Sequence, residues 1–175
     1  MTANILALAI SLMAVALIAG FTLYTGASPM PTPPAVARTM LDLLPKQIDG
    51  PIYELGSAWG SLAFAAAGRF PGAPVIAYEI SPIPWIWSRL RLRLSHRDNL
   101  SIRLRDFFRQ DLGDAAVVIC YLHPRAMEKL GKKLEAELRP GTLVLCNTFA
   151  VRGWTPVAET GADDLHKSRV YLYRM

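Results

Sequence analysis

No charged residue precedes Arg38. Within that stretch, Asn4 to Tyr24 is built almost wholly from Ala, Ile, Leu, Val, Met and Phe, broken only by Asn4, Ser11, Gly20 and Thr22. A helix over this run, rising about 1.5 Å per residue, matches a hydrocarbon core about 30 Å thick. Such a segment either spans a bilayer or is removed as a signal peptide, for which Thr25-Gly26-Ala27-Ser28 would serve as a small-residue cleavage zone. It lacks a basic n-region and exceeds the usual apolar core of about 7–15 residues, which favours a retained anchor. Arg38 and Lys46 follow the span and nothing basic precedes it, so the positive-inside tendency puts the remainder of the chain in the cytoplasm.

The boundaries expected from composition are a transmembrane anchor over 1–25, a Pro-rich linker over 26–34 and a single domain over 35–175. Gly26 to Pro34 carries four prolines, each lacking a backbone donor, and reads as a short stiff connector. Roughly 140 residues remain, about the size of one α/β core. All nineteen Lys and Arg lie beyond the apolar run, so the formal charge of +5 belongs to the domain and suits an anionic membrane surface or an acidic partner. Nucleic acid is disfavoured, because no aromatic RNA-binding signature or zinc-finger spacing occurs. Cys120 and Cys146 sit in apolar runs that read as core strands, and neither a disulfide framework nor a metal site is expected.

Short apolar runs then alternate with helical patterns, the mark of successive βα units and a mostly parallel sheet. Strands are predicted near 51–55, 73–79, 100–104, 115–122, 142–148 and 168–173. Helices are predicted over 35–44, 61–68, 84–94 and 124–138, with 158–164 left as a polar loop. Right-handed crossovers give a Rossmann-like, doubly wound three-layer sandwich. Its ligand crevice lies at the carboxyl ends of the strands.

Tyr53-Glu54-Leu55-Gly56-Ser57-Ala58-Trp59-Gly60 places an acidic residue at a strand end and a glycine turn before a helix, a geometry that presents backbone N–H groups to a ligand. The dinucleotide fingerprint fails, since Ala58 and Ser61 stand where glycines are required. The pattern [D/E]-x-G-x-G-x-G is met at 54, 56 and 60 and missed only at Ala58, which favours S-adenosylmethionine over NAD. Val75 to Glu79 ends in a second carboxylate nineteen residues past Gly60, suited to accept from ribose hydroxyls. A third strand ends at Asp106 and Phe107, an acceptor for an adenine amino group and an apolar wall, although Phe107 and Phe108 suit the core equally. Arginines at 89, 91, 93, 97, 103, 105 and 109 follow Trp85 and Trp87, a composition suited to a bilayer headgroup region, though the spacing spreads the charges over more than one helix face.

With these residues in place the chain resembles a class I, seven-β-strand S-adenosylmethionine-dependent methyltransferase. Within that class it is similar to the membrane-anchored lysine methyltransferases of the ATP synthase c-subunit and adenine nucleotide translocase type. The likeness runs through Pro31-Thr32-Pro33, Glu54-Leu55-Gly56-Ser57, Tyr78-Glu79 with Pro82, Ser88-Arg89, Asp106-Phe107-Phe108-Arg109, Leu122-His123-Pro124, Lys133-Leu134 and Glu137-Leu138. It implies that Glu54, Gly56 and Gly60, with Ser57 and Ala58 between them, hold the methionine part of the cofactor. Glu79 would hold the ribose and Asp106 with Phe107 the adenine, while Thr32 closes over the site. Where family members show Gly-Asp-Gly, this chain has Ala58-Trp59-Gly60, so a methyl group and an indole are expected near the cofactor.

Tyr121 and His123, at the end of the fourth predicted strand, are the expected acceptors guiding an amine, although His123 before Pro124 also suits a purely structural loop. The implied acceptor is a lysine of a membrane-associated protein. A small molecule or lipid headgroup, and a non-catalytic membrane scaffold that retains the fold, are the alternatives.

Overall fold

A computed structural model of the chain describes residues 2–26 and 28–175; Ala27 of the expected linker lies outside the described residues. Helix α1 (Thr2–Thr25) is largely exposed, and its Asn4–Thr25 portion is long and apolar enough to cross a membrane. Helix α2 (Pro34–Asp42) starts on Pro34, whose missing N–H costs nothing in a first turn.

Seven strands follow: β1 (Ile52–Leu55), β2 (Val75–Glu79), β3 (Leu100–Leu104), β4 (Val117–Cys120), β5 (Leu143–Asn147), β6 (Ala158–Gly161) and β7 (Arg169–Arg174). Between them run α3 (Ser61–Arg69), α4 (Pro82–Arg93), a 3-10 turn at Phe107–Arg109 and α5 (Pro124–Glu137). The sheet order is β3-β2-β1-β4-β5-β7-β6, parallel from β3 through β5 and antiparallel at β7 and β6. The chain therefore winds outward from β1 in one direction and from β4 in the other, which opens a crevice between them at the carboxyl edge. Register brings Leu55 level with Tyr78 and Cys120, so three strands end at one height.

Central strands buried on both faces have no polar alternation, and β1, β4 and β5 are buried throughout. One face packs Ile52, Val75, Ile119 and Leu145 beneath Met40 of α2 and Leu62 of α3. The other packs Leu55, Val118 and Tyr173 under Met127, Leu130 and Leu134 of α5. Cys120 and Cys146 are register partners with sulfurs 3.5 Å apart, both free and buried.

The segment expected as a loop at 158–164 forms β6 over Ala158–Gly161. As an edge strand it needs only one neighbour and no apolar run: it zips antiparallel to β7 and adds an ion pair between Glu159 and Arg169.

Candidate active site

The turn after β1 is held by backbone bonds before any side chain contributes. Gly56 N–H and Ser57 N–H both donate to the Tyr78 carbonyl, at 3.0 and 2.9 Å, and Gly60 N–H donates to the Ser57 carbonyl at 2.8 Å. Gly56 and Gly60 each adopt φ of 77°. A Cβ on Gly56 would meet Leu122 Cδ2 at 3.0 Å, so strain and close approach both demand glycine there. Ala58 also lies in the left-handed region, at φ 45°, a conformation costing a non-glycine residue about 1–2 kcal/mol.

What holds Ala58 there is Glu79. The carboxylate, 5% exposed, accepts from Ala58 N–H at 2.6 Å on one oxygen and from Ile80 and Ser81 N–H, at 2.9 and 2.7 Å, on the other. Three of a carboxylate's roughly four acceptor positions thus bind main-chain amides. Ser88 on α4 adds a bond to the Ala58 carbonyl at 3.2 Å. Glu54 lies buried beneath the turn, and burial first, then the neighbouring Glu79 charge, pushes its carboxyl up to about 8 against an opposing Ala63 N–H. A proton on Glu54 at neutral pH lets two carboxyls share this corner.

Above the turn is a cavity of about 540 Å³, within the range of small-molecule sites of about 300–1,000 Å³. Gly56, Ser57, Ala58, Glu79, Asp106, Phe107, Tyr121, His123 and Thr32 line it, so the structure gathers nine of the eleven predicted site residues around one space. Glu54 sits underneath as support, and Gly60 caps α3. Asp106 Oδ1 accepts from Phe108 N–H at 2.9 Å, and its other oxygen lies 3.6 Å from Arg109. Among the described residues, Ser57 Oγ and Glu54 Oε2 are buried without a hydrogen-bond partner. An orphaned hydroxyl on the wall, carboxylates at two strand ends and an aromatic side fit a polar nucleoside with an amino-acid tail.

Trp59 does not enter this space. Its indole N–H donates to the Pro29 carbonyl at 2.6 Å and the residue is not part of the lining, which corrects the expected intrusion; of the two departures from Gly-Asp-Gly only Ala58 lines the cavity.

Sequence reasoning also missed a whole wall. Tyr24, Thr25, Gly26, Ser28, Pro29 and Met30, from the end of α1 and the segment after it, border the cavity. His123 Nε2 donates to the Thr25 carbonyl at 2.9 Å, so this ring is tied to the end of α1. Phe149, just past β5, was findable by the same strand-end logic that selected Tyr121. Lys129 on α5 places Nζ 4.0 Å from the centre of the Phe108 ring at the cavity edge.

The ANTKMT methyltransferase domain family matches residues 54–158, more than half of the chain, from within β1 through β5. The chain belongs to that family. A protein-lysine N-methyltransferase of Saccharolobus islandicus is 32% identical over 151 residues, covering 82% of this chain and 91% of that protein. The mouse lysine N-methyltransferase of the ATP synthase c-subunit is 30% identical over 154 residues, and the match spans 80% of this chain but only 61% of the mouse enzyme. Among solved structures, an RNA methyltransferase from Salinibacter ruber bound to S-adenosyl-L-homocysteine superimposes with a TM-score of 0.75 at 32% identity, covering 83% of this chain and 93% of that one. The fold expectation is met, and S-adenosyl-L-methionine is the cofactor of this methyltransferase.

Proposed function

We propose that this methyltransferase moves a methyl group to a lysine amine of a membrane-associated protein, its domain (35–175) held at the cytoplasmic face by residues 1–25 through the linker 26–34. The observation that carries the proposal is the cavity wall contributed by the end of α1, which ties the reaction space to the candidate span. The mouse relative's ATP synthase substrate supports a membrane-protein acceptor.

In this reading the turn at Gly56, Ser57 and Ala58, with Glu54 and Gly60 behind it, holds the cofactor's methionine part. Glu79 takes a ribose hydroxyl with its remaining acceptor position, Asp106 with Phe107 takes the adenine, and Thr32 closes the side. The cofactor supplies a methyl group on a sulfonium, open to in-line attack. The chain's own task is to position and desolvate the attacking amine.

A lysine amine has a reference pKa of about 10.4 and must arrive without its proton. Phe107, Phe108 and Phe149 desolvate it, and the Lys129 ammonium disfavours a second positive charge nearby; both effects lower its pKa. Tyr121 orients the amine by accepting from it. His123 keeps the wall in place through Thr25, a positioning role rather than that of a free base.

The test is label transfer from methyl-tritiated S-adenosyl-L-methionine by the full chain in membranes, followed by separation of protein, lipid and RNA. Label in methyllysine supports the proposal. Label in lipid favours the headgroup acceptor, and absence of transfer favours a scaffold. RNA is the second reading, favoured by the Salinibacter relative and by exposed Arg103 and Arg105 beside the site, and label in RNA would establish it.

A further inference from the structure

Helix α4 carries apolar side chains that the fold leaves in water. Ile86, Trp87, Leu90 and Leu94 are 53%, 56%, 50% and 81% exposed. Ile86, Leu90 and Leu94 recur at four-residue steps and Trp87 lies beside them, so the four form one arc on the side opposite the buried Pro84 and Ser88. A contiguous apolar arc of this kind on a domain surface marks a contact site.

The flanks of the arc are arginine. Arg89 and Arg93, four residues apart, run along one edge; Arg91 runs along the other, its guanidinium 4.0 Å from the centre of the Phe64 ring. Helix α4 contains no acidic residue. An apolar strip bordered on both sides by arginines fits an anionic lipid surface, with the strip among acyl chains and the guanidinium groups toward the phosphates.

Position selects the same occupant. Helix α4 touches α1. Ser81, its N-cap, lines the cavity next to the segment that Trp59 holds through Pro29, and Tyr24 closes the candidate span at the depth where aromatic residues gather.

We propose that α4 is an in-plane lipid-docking helix, a second membrane contact that lays the domain on the bilayer with the cavity mouth facing the headgroups. The proposal rests on the anchoring role of α1 given above, and it adds an orientation that the anchor alone does not fix.

Nitroxide labels on the full chain in vesicles with one-third phosphatidylserine test it, the native thiols being buried. Labels go at Leu12→Cys in α1, Leu90→Cys in α4 and, as an aqueous control, Glu128→Cys in α5. Depth is read from relative access to oxygen and to a water-soluble nickel complex. Leu90 is expected to report immersion at the level of the first acyl carbons, with Glu128 fully aqueous. One arginine near an anionic surface changes partitioning about fivefold. Arg89→Glu with Arg93→Glu should therefore cut the immersed population at least about 25-fold while methyl transfer to a soluble peptide is unchanged.

An immersed Leu12 with an aqueous Leu90 overturns the proposal and leaves the anchor standing. An aqueous Leu12 with an immersed Leu90 overturns the anchor and leaves α4, and both aqueous overturns both. Spin–spin broadening between Leu90 labels of separate molecules would seat a second copy on the arc and overturn lipid docking.

Discussion

Replacing Glu79 by glutamine separates the architectural load on this carboxylate from any bond it makes to a ligand. In the native turn two oxygens serve three N–H donors. A glutamine carbonyl can keep Ile80 and Ser81, but its NH2 group then faces Ala58 N–H, donor against donor. The unpaired buried amide costs about 1–3 kcal/mol, and the two surviving bonds lose charge assistance worth roughly 1 kcal/mol each. Removing the negative charge beside Glu54 offsets part of this. The net expectation is a loss of about 2–3 kcal/mol without ligand, which for a chain of this size lowers Tm by about 5–10 °C.

The Tm loss should be accompanied by fast hydrogen exchange at Ala58, the amide that loses its acceptor. Thermal unfolding of the solubilised full chain, followed by circular dichroism at pH 7, measures the first, and exchange mass spectrometry the second. A variant melting within 2 °C of the parent, with Ala58 still protected, would refute the assignment of Glu79 as the strut of the turn, whatever became of cofactor affinity.

Four further expectations follow from the same geometry. Glu54 has a folded pKa of about 8 against about 4.5 unfolded, so its contribution favours the fold fully below about pH 4.5 and is lost as pH rises through about 8; Glu54→Gln should flatten that decline in denaturant titrations across pH 5 to 9. Ala58→Gly exchanges left-handed strain of about 1–2 kcal/mol for a lost buried methyl and a looser unfolded chain, so stability should stay within about 1 kcal/mol while calorimetry shows tighter S-adenosyl-L-methionine binding. Trp59→Phe deletes the bond to Pro29 and should hasten proteolysis between residues 26 and 33 at least fivefold, with a parental rate counting against the clasp. Lys129→Gln removes a cation from the acceptor side and should move the acid limb of the kcat profile, which reports the bound amine, up by about half to one pH unit; an unmoved limb would show that Lys129 does not tune the amine.

The parallel sheet was legible because strands buried on both faces need long apolar runs, and Val117–Cys120 and Leu143–Asn147 advertise themselves. β6 was not, because Ala-Glu-Thr-Gly at an edge is selected by its partner β7 rather than by its own hydrophobicity. Strand-end reasoning found Glu79, Asp106 and Tyr121, since in an open α/β sheet the carboxyl edge is dictated by topology. It could not find the wall formed by Tyr24, Thr25, Gly26, Ser28, Pro29 and Met30, and Thr32 beside them was expected only from the family resemblance. That wall is fastened through the carbonyls of Thr25 and Pro29, groups every residue carries and no pattern marks. The direction of the Trp59 indole was invisible for the same reason: its partner is a backbone oxygen thirty residues away.

The fastening of Thr25 to His123 and of Pro29 to Trp59 bears on how the enzyme is handled at the bench. Trimming the chain to Pro34 to obtain a convenient soluble fragment would strip one side from the cavity, exposing Ala58 and Tyr121 to bulk water. Weak binding or slow turnover in a fragment of that kind would reflect the missing wall rather than the intact chain.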